Sequence, residues 1–258
     1  MWPDETYKLL WTAGLVFAGL TAVGAGLLRT PYGRFSDRRF GPGLDPRWGW
    51  LLMELPAIPA FAWFYLQGPR AFEPLPLVFA GIWLLHYANR GFAFPLLQRV
   101  RPGSRMSWLV VISGAGVCCL HGYLYGAWLP AAGTPLTAAW LAEPRFWAGL
   151  GLYGLGLGLN LHSDALLRRL RRARRVDDAG AYRIPRGGAF RWVSCPHYLG
   201  ELLAWAGLLL ASACPGGWFI LAVSAANLVP RALATHRWYR AHFSDYPPER
   251  RALLPYIL

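Results

Sequence analysis

Cysteine is scarce in this chain: Cys118, Cys119, Cys195 and Cys214 are the only four in 258 residues. None stands at CxxC spacing, and an adjacent pair suits neither a zinc site nor a disulfide framework. The four are read as small apolar fillers, and no metal is expected. Acidic residues are also few, 13 against 26 basic ones, for a net charge of +13. No linker or low-complexity segment is long enough to separate a second domain, and no internal repeat is present, so residues 1–258 are expected to form one domain. The first apolar stretch begins near Leu9, behind Asp4, Glu5 and a single lysine, Lys8. Without a positive n-region or a small-residue cleavage site it does not read as a secretory signal, and a retained helix is expected there.

What is abundant is apolar surface. A hydrophobic content of 55%, 14 tryptophans and a mean hydropathy of +0.28 argue against a soluble globular fold and for a helical membrane protein. A helix needs about 20 apolar residues to cross roughly 30 Å of hydrocarbon. Leu9–Leu28 meets this without a charge, Trp48–Leu66 with only Glu54, and Pro74–Gln98 with His86, Tyr87, Asn89 and Arg90 near its middle. Met106–Ala142 is too long for one span and is divided into a helix over 106–129 and a loop through PAAGTP. Phe146–Leu161 follows, with an amphipathic end reaching about Leu167. A Cys-Pro-Gly-Gly break divides 202–230 into two antiparallel helices. The fold class is therefore all-α, with seven transmembrane helices, the N-terminus outside and the C-terminus cytoplasmic. The inner loops then hold five, four, nine and five basic residues (29–47, 90–105, 168–191, 231–251), against Lys8, Arg70 and Arg145 outside. That is the bias of the positive-inside rule, and it assigns the basic charge to topology rather than to nucleic acid.

The stretch from Asn160 to Glu201 is polar and strongly basic between two apolar flanks, the character of a site for an anionic ligand. Asn160 and Asp164 are four apart and share a helical face, with His162 turned away. Arg168, Arg169, Arg171 and Arg172 follow, then Tyr182, Arg183, Arg186 and the turn-forming Gly187-Gly188. Arginine forks suit phosphates, and a cofactor with three phosphates needs several. The plainer alternative is a cytoplasmic basic loop that sets topology and meets anionic lipid. Glu54 lies six residues into an otherwise apolar span, where an ionisable group costs roughly 2.5–3.5 kcal/mol on insertion scales. It reads either as a functional group able to donate a hydrogen bond as the neutral acid, or as a structural carboxyl bonded to a neighbouring helix. Tyr87 and Arg90 are three apart on one face, with His86 and Asn89 on a neighbouring strip, which implies an interior cavity. The glycines at 149, 151, 154, 156 and 158 lack a preceding strand and a βαβ unit, so a Rossmann site is rejected. Gly154-x-x-x-Gly158 is expected to allow close helix packing instead.

Taken together these motifs resemble the steroid 5α-reductase (3-oxo-5α-steroid 4-dehydrogenase) family. The resemblance is carried by GLNLHSD (158–164), YRIPRGGAF (182–190), the YLGE of VSCPHYLGE (193–201), RA (231–232), HRWY (236–239) and FSDYPPERRALLPYIL (243–258). Upstream, ELP at Glu54–Pro56, HY at His86–Tyr87 with Arg90, and RP at Arg101–Pro102 extend it. It implies seven transmembrane helices and NADPH-dependent reduction of a Δ4-3-oxo steroid. It also implies that Glu54 and Tyr87 hydrogen-bond the steroid 3-oxo group. By the same resemblance Asn160, Asp164, Arg171, Tyr182, Arg183, Glu201, Arg231 and Tyr239 bind the dinucleotide, and Arg101 contacts it from the loop after the third helix. Most of that cofactor site falls in residues 146–258. His197 stands where the family has asparagine, and Thr235 where it has histidine; both positions lie by the cofactor in the family, so binding strength or orientation is expected to differ.

The chemistry implied is conjugate reduction. A C4–C5 double bond conjugated to a 3-oxo group accepts hydride at C5 when the developing enolate oxygen is stabilised, here by Glu54 and Tyr87 in a dry site. Other readings remain beside it. PHYLGE (196–201) resembles the HPxYxGE-type motif of membrane methyltransferases that use S-adenosylmethionine, although those are not expected to combine ELP, HY and DYPxxRxxLxPxI/L. A polyprenol or an enoyl-CoA would suit the same reductase chemistry, and a non-enzymatic seven-helix receptor is disfavoured by Glu54, Asn160 and Asp164. The expected partners are a steroid-like lipid substrate and membrane lipid, with neither nucleic acid nor an obligate protein partner. The Arg-, Ala- and Gly-rich composition suggests a bacterial coding sequence, an inner-membrane location and a cofactor site facing the cytoplasm.

Overall fold

The structure is a computed structural model and describes residues 3–27, 41–98, 100, 103–172 and 182–258. It is mostly helical. The chain runs α1 (Glu5–Leu27), α2 (Pro46–Glu54), α3 (Ala57–Leu66), α4 (Pro74–Ala88), α5 (Phe94–Leu97), α6 (Trp108–Trp128), α7 (Pro144–Arg172), α8 (Pro196–Ser212) and α9 (Gly216–His242). Two short strands, β1 (Gly43–Leu44) and β2 (Met106–Ser107), pair antiparallel and tie the start of α2 to the start of α6. Four of these helical segments are long and apolar enough to cross a membrane: Glu5–Leu27, Pro46–Leu66, Trp108–Trp128 and Gly216–His242.

Two breaks inside helices position the polar residues. Pro56 has no N–H for the Leu52 carbonyl, so the Pro46–Leu66 segment divides there and Glu54 occupies the last turn of α2. Between α4 and α5 the backbone widens into a π-helical turn over Asn89–Ala93, closed by the Phe94 N–H on the Asn89 carbonyl. Pro95 explains it, because it cannot donate to the Gly91 carbonyl as an α-helix requires. Arg90 sits on this widened turn, and Gly91 brings the turn to within ordinary contact of Glu54.

The long helices alternate in direction. Trp11 Nε1 donates to the Pro215 carbonyl and Gly14 meets Phe219, so α1 and α9 run parallel. Leu124, near the end of α6, meets Gly216 at the start of α9. Phe61 stacks on Trp83, and Glu54 approaches Arg90, so α4 runs against α2 and α3. Exposed tryptophans follow the same order. Trp48, Trp108 and Trp192 lie at or just before the starts of α2, α6 and α8, whereas Trp63 lies near the end of α3 and Trp147 and Trp218 near the starts of α7 and α9.

Small residues set the tightest seams, though not at the expected pair. A Cβ on Gly154 or Gly158 would meet nothing within 4 Å. The seam between α7 and α8 uses Gly149 and Gly156 against Ala211, Ala204 and Gly200. A Cβ on Gly156 would strike the Ala204 backbone nitrogen, and one on Gly200 would lie 2.5 Å from the Asn160 nitrogen. The reason is periodic: the partners recur every seven residues on each antiparallel helix, and this selects positions 149 and 156. The GxxxG spacing that does pack is Gly122–Gly126 of α6, whose added Cβ atoms would each lie 2.6 Å from a carbonyl oxygen, that of Ala57 or Phe61 on α3.

Both ends of the bundle are closed by loop contacts. Arg70, between α3 and α4, donates to Glu73 (2.8 Å), to the Thr134 hydroxyl (2.9 Å) and to the Leu136 carbonyl. The Arg70 guanidinium holds the Glu73 carboxyl below its ordinary range. At the opposite end the tail after α9 folds back beside α8. Val193 pairs with Arg251, and Ser194 Oγ lies 2.7 Å from His236 Nδ1 and 2.6 Å from the Tyr246 hydroxyl. The Cys-Pro-Gly-Gly turn is as expected, entered through Ala213 in the left-handed region (φ 54°).

Candidate active site

The polar side chains of α2, α4, α6, α7 and α8 converge on one buried cluster. Glu54 is 7% exposed, Tyr87 2%, Asn160 5% and Glu201 7%. Burial of that depth demands partners, because an unpaired buried charge is costly. Glu201 is the hub. Its Oε2 accepts from Asn160 Nδ2 at 3.1 Å, and its Oε1 lies 3.7 Å from Arg90 Nε and 3.6 Å from His86 Nε2. Asn160 Nδ2 also donates to the His197 carbonyl at 2.9 Å, which ties α7 to the first turn of α8. Arg90 spans the cluster: its Nη2 lies 3.8 Å from Glu54 Oε1, and its guanidinium rests against the rings of Trp50 and Phe94, 5.2 Å from each centroid.

Glu54 and Tyr87 are linked through α6. The Cys118 thiol approaches Glu54 Oε2 at 3.5 Å and also interacts with the Tyr87 hydroxyl. Cys118 is therefore more than the apolar filler expected of it. The Tyr87 ring stacks on Trp83 (4.2 Å), which stacks on Phe61 (4.2 Å), so the phenol is fixed by an aromatic column. His86 shares the Arg90 side of its helix rather than a separate strip, since residues four apart meet on one face.

The remaining sequence-predicted residues gather toward the ends of α7 and α9. Asp164, one turn beyond Asn160, is within electrostatic reach of Arg90, Arg168 and Arg171. Arg171 and Arg183 are exposed. Tyr182 packs edge-on against Trp238 at 4.8 Å, and Tyr239 stacks on Tyr246 at 5.4 Å beside Ile184. Arg231 Nε donates to the Tyr198 hydroxyl at 2.9 Å, and Thr235 lies buried one helical turn further along α9. His197 sits at the start of α8 with its ring 4.1 Å from that of Tyr198. Gly187 and Gly188, at φ 87° and 50°, turn the chain from Arg186 toward α8 in a conformation that favours glycine. Arg101 lies outside the described residues.

The sequence singles out Glu54, Tyr87, Asn160 and Glu201, gives Arg90 and His86 no separate role, reads Cys118 as an apolar filler and does not single out His121. A lone histidine in the middle of the otherwise uncharged 106–142 stretch was the available signal for His121.

Fold and site define an all-α protein of membrane character with a buried charged cluster at its centre and a basic, aromatic group at one end. Comparison with known proteins gives the relationship. A family profile described as 3-oxo-5-alpha-steroid 4-dehydrogenase matches residues 104–258. The chain is 34% identical over 236 residues to 3-oxo-5-alpha-steroid 4-dehydrogenase 1 of Bos taurus, covering 90% of this chain and 89% of the relative. It is 31% identical over 260 residues to the steroid 5-alpha-reductase DET2 of Arabidopsis thaliana, covering 98% of each. It is 36% identical over 215 residues to 3-oxo-5-alpha-steroid 4-dehydrogenase 2 of Homo sapiens, covering 83% and 82%. The chain belongs to the 3-oxo-5-alpha-steroid 4-dehydrogenase family, a family of oxidoreductases.

Proposed function

We propose that this protein reduces the C4–C5 double bond of 3-oxo-Δ4 steroids to 5α-dihydro steroids with NADPH. The observation that carries the reading is the meeting of Glu54 and Tyr87, from different helices, at one buried point joined by Cys118. Charge counting separates the two carboxyls of the cluster. Glu201 faces Asn160, Arg90 and His86, whereas Glu54 faces a thiol and the other edge of the same guanidinium. One arginine shared by two buried carboxyls is balanced when Glu201 is the ionised one and Glu54 holds its proton. Glu54 and Tyr87 are then two proton-bearing donors for one ketone oxygen.

The chemistry of the donor set at the α7–α9 end fits a dinucleotide phosphate. Arg171, Arg183 and Arg231 offer guanidinium groups for phosphate, Tyr182 and Tyr239 offer ring faces, and Asp164, His197 and Thr235 add polar groups beside Asn160 and Glu201 of the buried cluster. Bound there, the reduced nicotinamide supplies the hydride. Glu54 and Tyr87 donate to the 3-oxo oxygen, and their hydrogen bonds strengthen as C5 gains hydride and charge moves to that oxygen. The enolate formed on the steroid then takes a proton at C4 from water. The aromatic column of Phe61, Trp83 and Tyr87 excludes solvent and holds the donors still.

The same reading takes the helices as seven transmembrane passes of a single domain, with the C-terminus and the cofactor site on the cytoplasmic face of a bacterial inner membrane. Alternating helix direction, the distribution of exposed tryptophans and the basic loops support it. The test is purification in detergent, with NADPH absorbance followed on addition of testosterone or progesterone and the product identified by mass spectrometry. A 5α-dihydro product is expected. NADPH binding without steroid turnover would move the substrate to another enone or a polyprenol, and binding of S-adenosylmethionine in place of NADPH would overturn the reading.

A further inference from the structure

Tyr87 has a neighbour on α6 that the reduction has not yet used. His121 is fully buried, and its Nδ1 lies 2.7 Å from the Tyr87 hydroxyl oxygen. The rings of Trp83, Tyr125 and Trp205 enclose the imidazole, with centroids at 5.5, 4.9 and 4.9 Å. Nε2 has no hydrogen-bond partner among the described residues.

The contact has two forms. If the phenol donates to Nδ1, the imidazole proton sits on Nε2, a buried N–H without an acceptor, and the phenolic proton faces away from any substrate. If Nδ1–H donates to the phenol, Nε2 keeps only a lone pair among the rings. Orphaned buried N–H groups are rarer than under-used acceptors, which favours the second form. The two forms also differ in chemistry, because only the second leaves the Tyr87 O–H available to a ketone.

We propose that His121 is a positioning residue. Its Nδ1–H donates to the Tyr87 oxygen and turns the phenolic proton toward Cys118, Glu54 and the substrate carbonyl. The inference rests on the reductase reading. As the Tyr87–carbonyl hydrogen bond strengthens during hydride transfer, the phenolic oxygen gains negative charge, and the His121 N–H stabilises it through the same chain of hydrogen bonds. No proton leaves His121 in this scheme.

The full-length protein in detergent provides the test. His121→Leu, of similar volume, should lower kcat by about tenfold or more while NADPH affinity, followed by fluorescence, stays within about threefold. His121→Asn, whose amide N–H can reach the place of Nδ1, should recover most of that loss. In a Tyr87→Phe background His121→Leu should cost nothing further, because the effect passes through the phenol. Full activity in His121→Leu, or an undiminished penalty in the Tyr87→Phe background, would overturn the proposal. Nitrogen NMR of histidine-labelled protein, assigned with His121→Asn, reads the tautomer without turnover: a proton on Nδ1 is expected, and one on Nε2 sinks the idea. A wild-type protein that reduces no 3-oxo-Δ4 steroid but shows the Nδ1 proton would sink the reductase reading, and with it the carbonyl role, while leaving the direction of the hydrogen bond intact.

Discussion

The buried cluster and the basic group toward the ends of α7 and α9, the mouth, hold their ionisable groups in opposite settings. In the cluster Arg90 is shared between Glu54 and Glu201, and Asn160 and His86 complete the set around Glu201. At the mouth Arg171 and Arg183 stand exposed and Tyr182 is half-buried. The difference is one of dielectric. Charges in the bundle centre must neutralise one another to be there at all, so they form a rigid setting with no net attraction for an ion. Arg171 and Arg183 at the mouth are solvated, a setting that suits a polyanion. A neutral lipid with one polar oxygen suits the first region, and a dinucleotide phosphate suits the second.

Breaking the cluster should do the most damage. Glu201→Ala leaves Arg90 beside His86 without its main counter-charge, and a loss of roughly 3–5 kcal/mol is expected, read as an early thermal transition in detergent. Glu54→Gln and Tyr87→Phe come next: each should lower kcat by about 100-fold, with NADPH affinity little changed. Loss of cofactor binding in either folded variant would merge the two regions and defeat the distinction. The α7–α8 seam that brings Asn160 to Glu201 sharpens it further. Gly156→Leu should destabilise by about 1–3 kcal/mol or more, whereas Gly154→Leu should be near neutral in the same melt. At the mouth, Arg183→Ala should weaken NADPH binding by about tenfold, with the melting temperature unchanged and the effect shrinking at high salt.

The smallest effect belongs to the far end. Glu73 is held below its ordinary range by Arg70, so its contribution is present above the unfolded carboxyl range and is lost as pH falls through the folded value. Glu73→Gln should lower the melting temperature slightly at neutral pH, and the difference should vanish in acid.

Much of this was legible in one dimension. The helices through Leu9–Leu28, 106–129 and 202–230 follow from apolar length and the Cys-Pro-Gly-Gly break, which act within a segment. Glu54 and Tyr87 were legible as buried polar groups because an ionisable or hydroxyl group inside an apolar run has few places to go. The linkages were not legible. Nothing local says that Cys118 joins Glu54 to Tyr87, that Arg90 serves two carboxyl groups, or that Gly122 and Gly126 pack where Gly154 and Gly158 do not. Each depends on which face of one helix meets which face of another.

Sequence alone determined the membrane character, the order of the helices and the residue types that resemble an oxidoreductase family, because hydropathy, proline and motif spacing act along the chain. Tertiary structure decided the partners. Desolvation makes every buried polar or charged group need a partner, and that partner lies on a different helix, 36 residues away for Glu54 and Arg90 and 111 for Arg90 and Glu201.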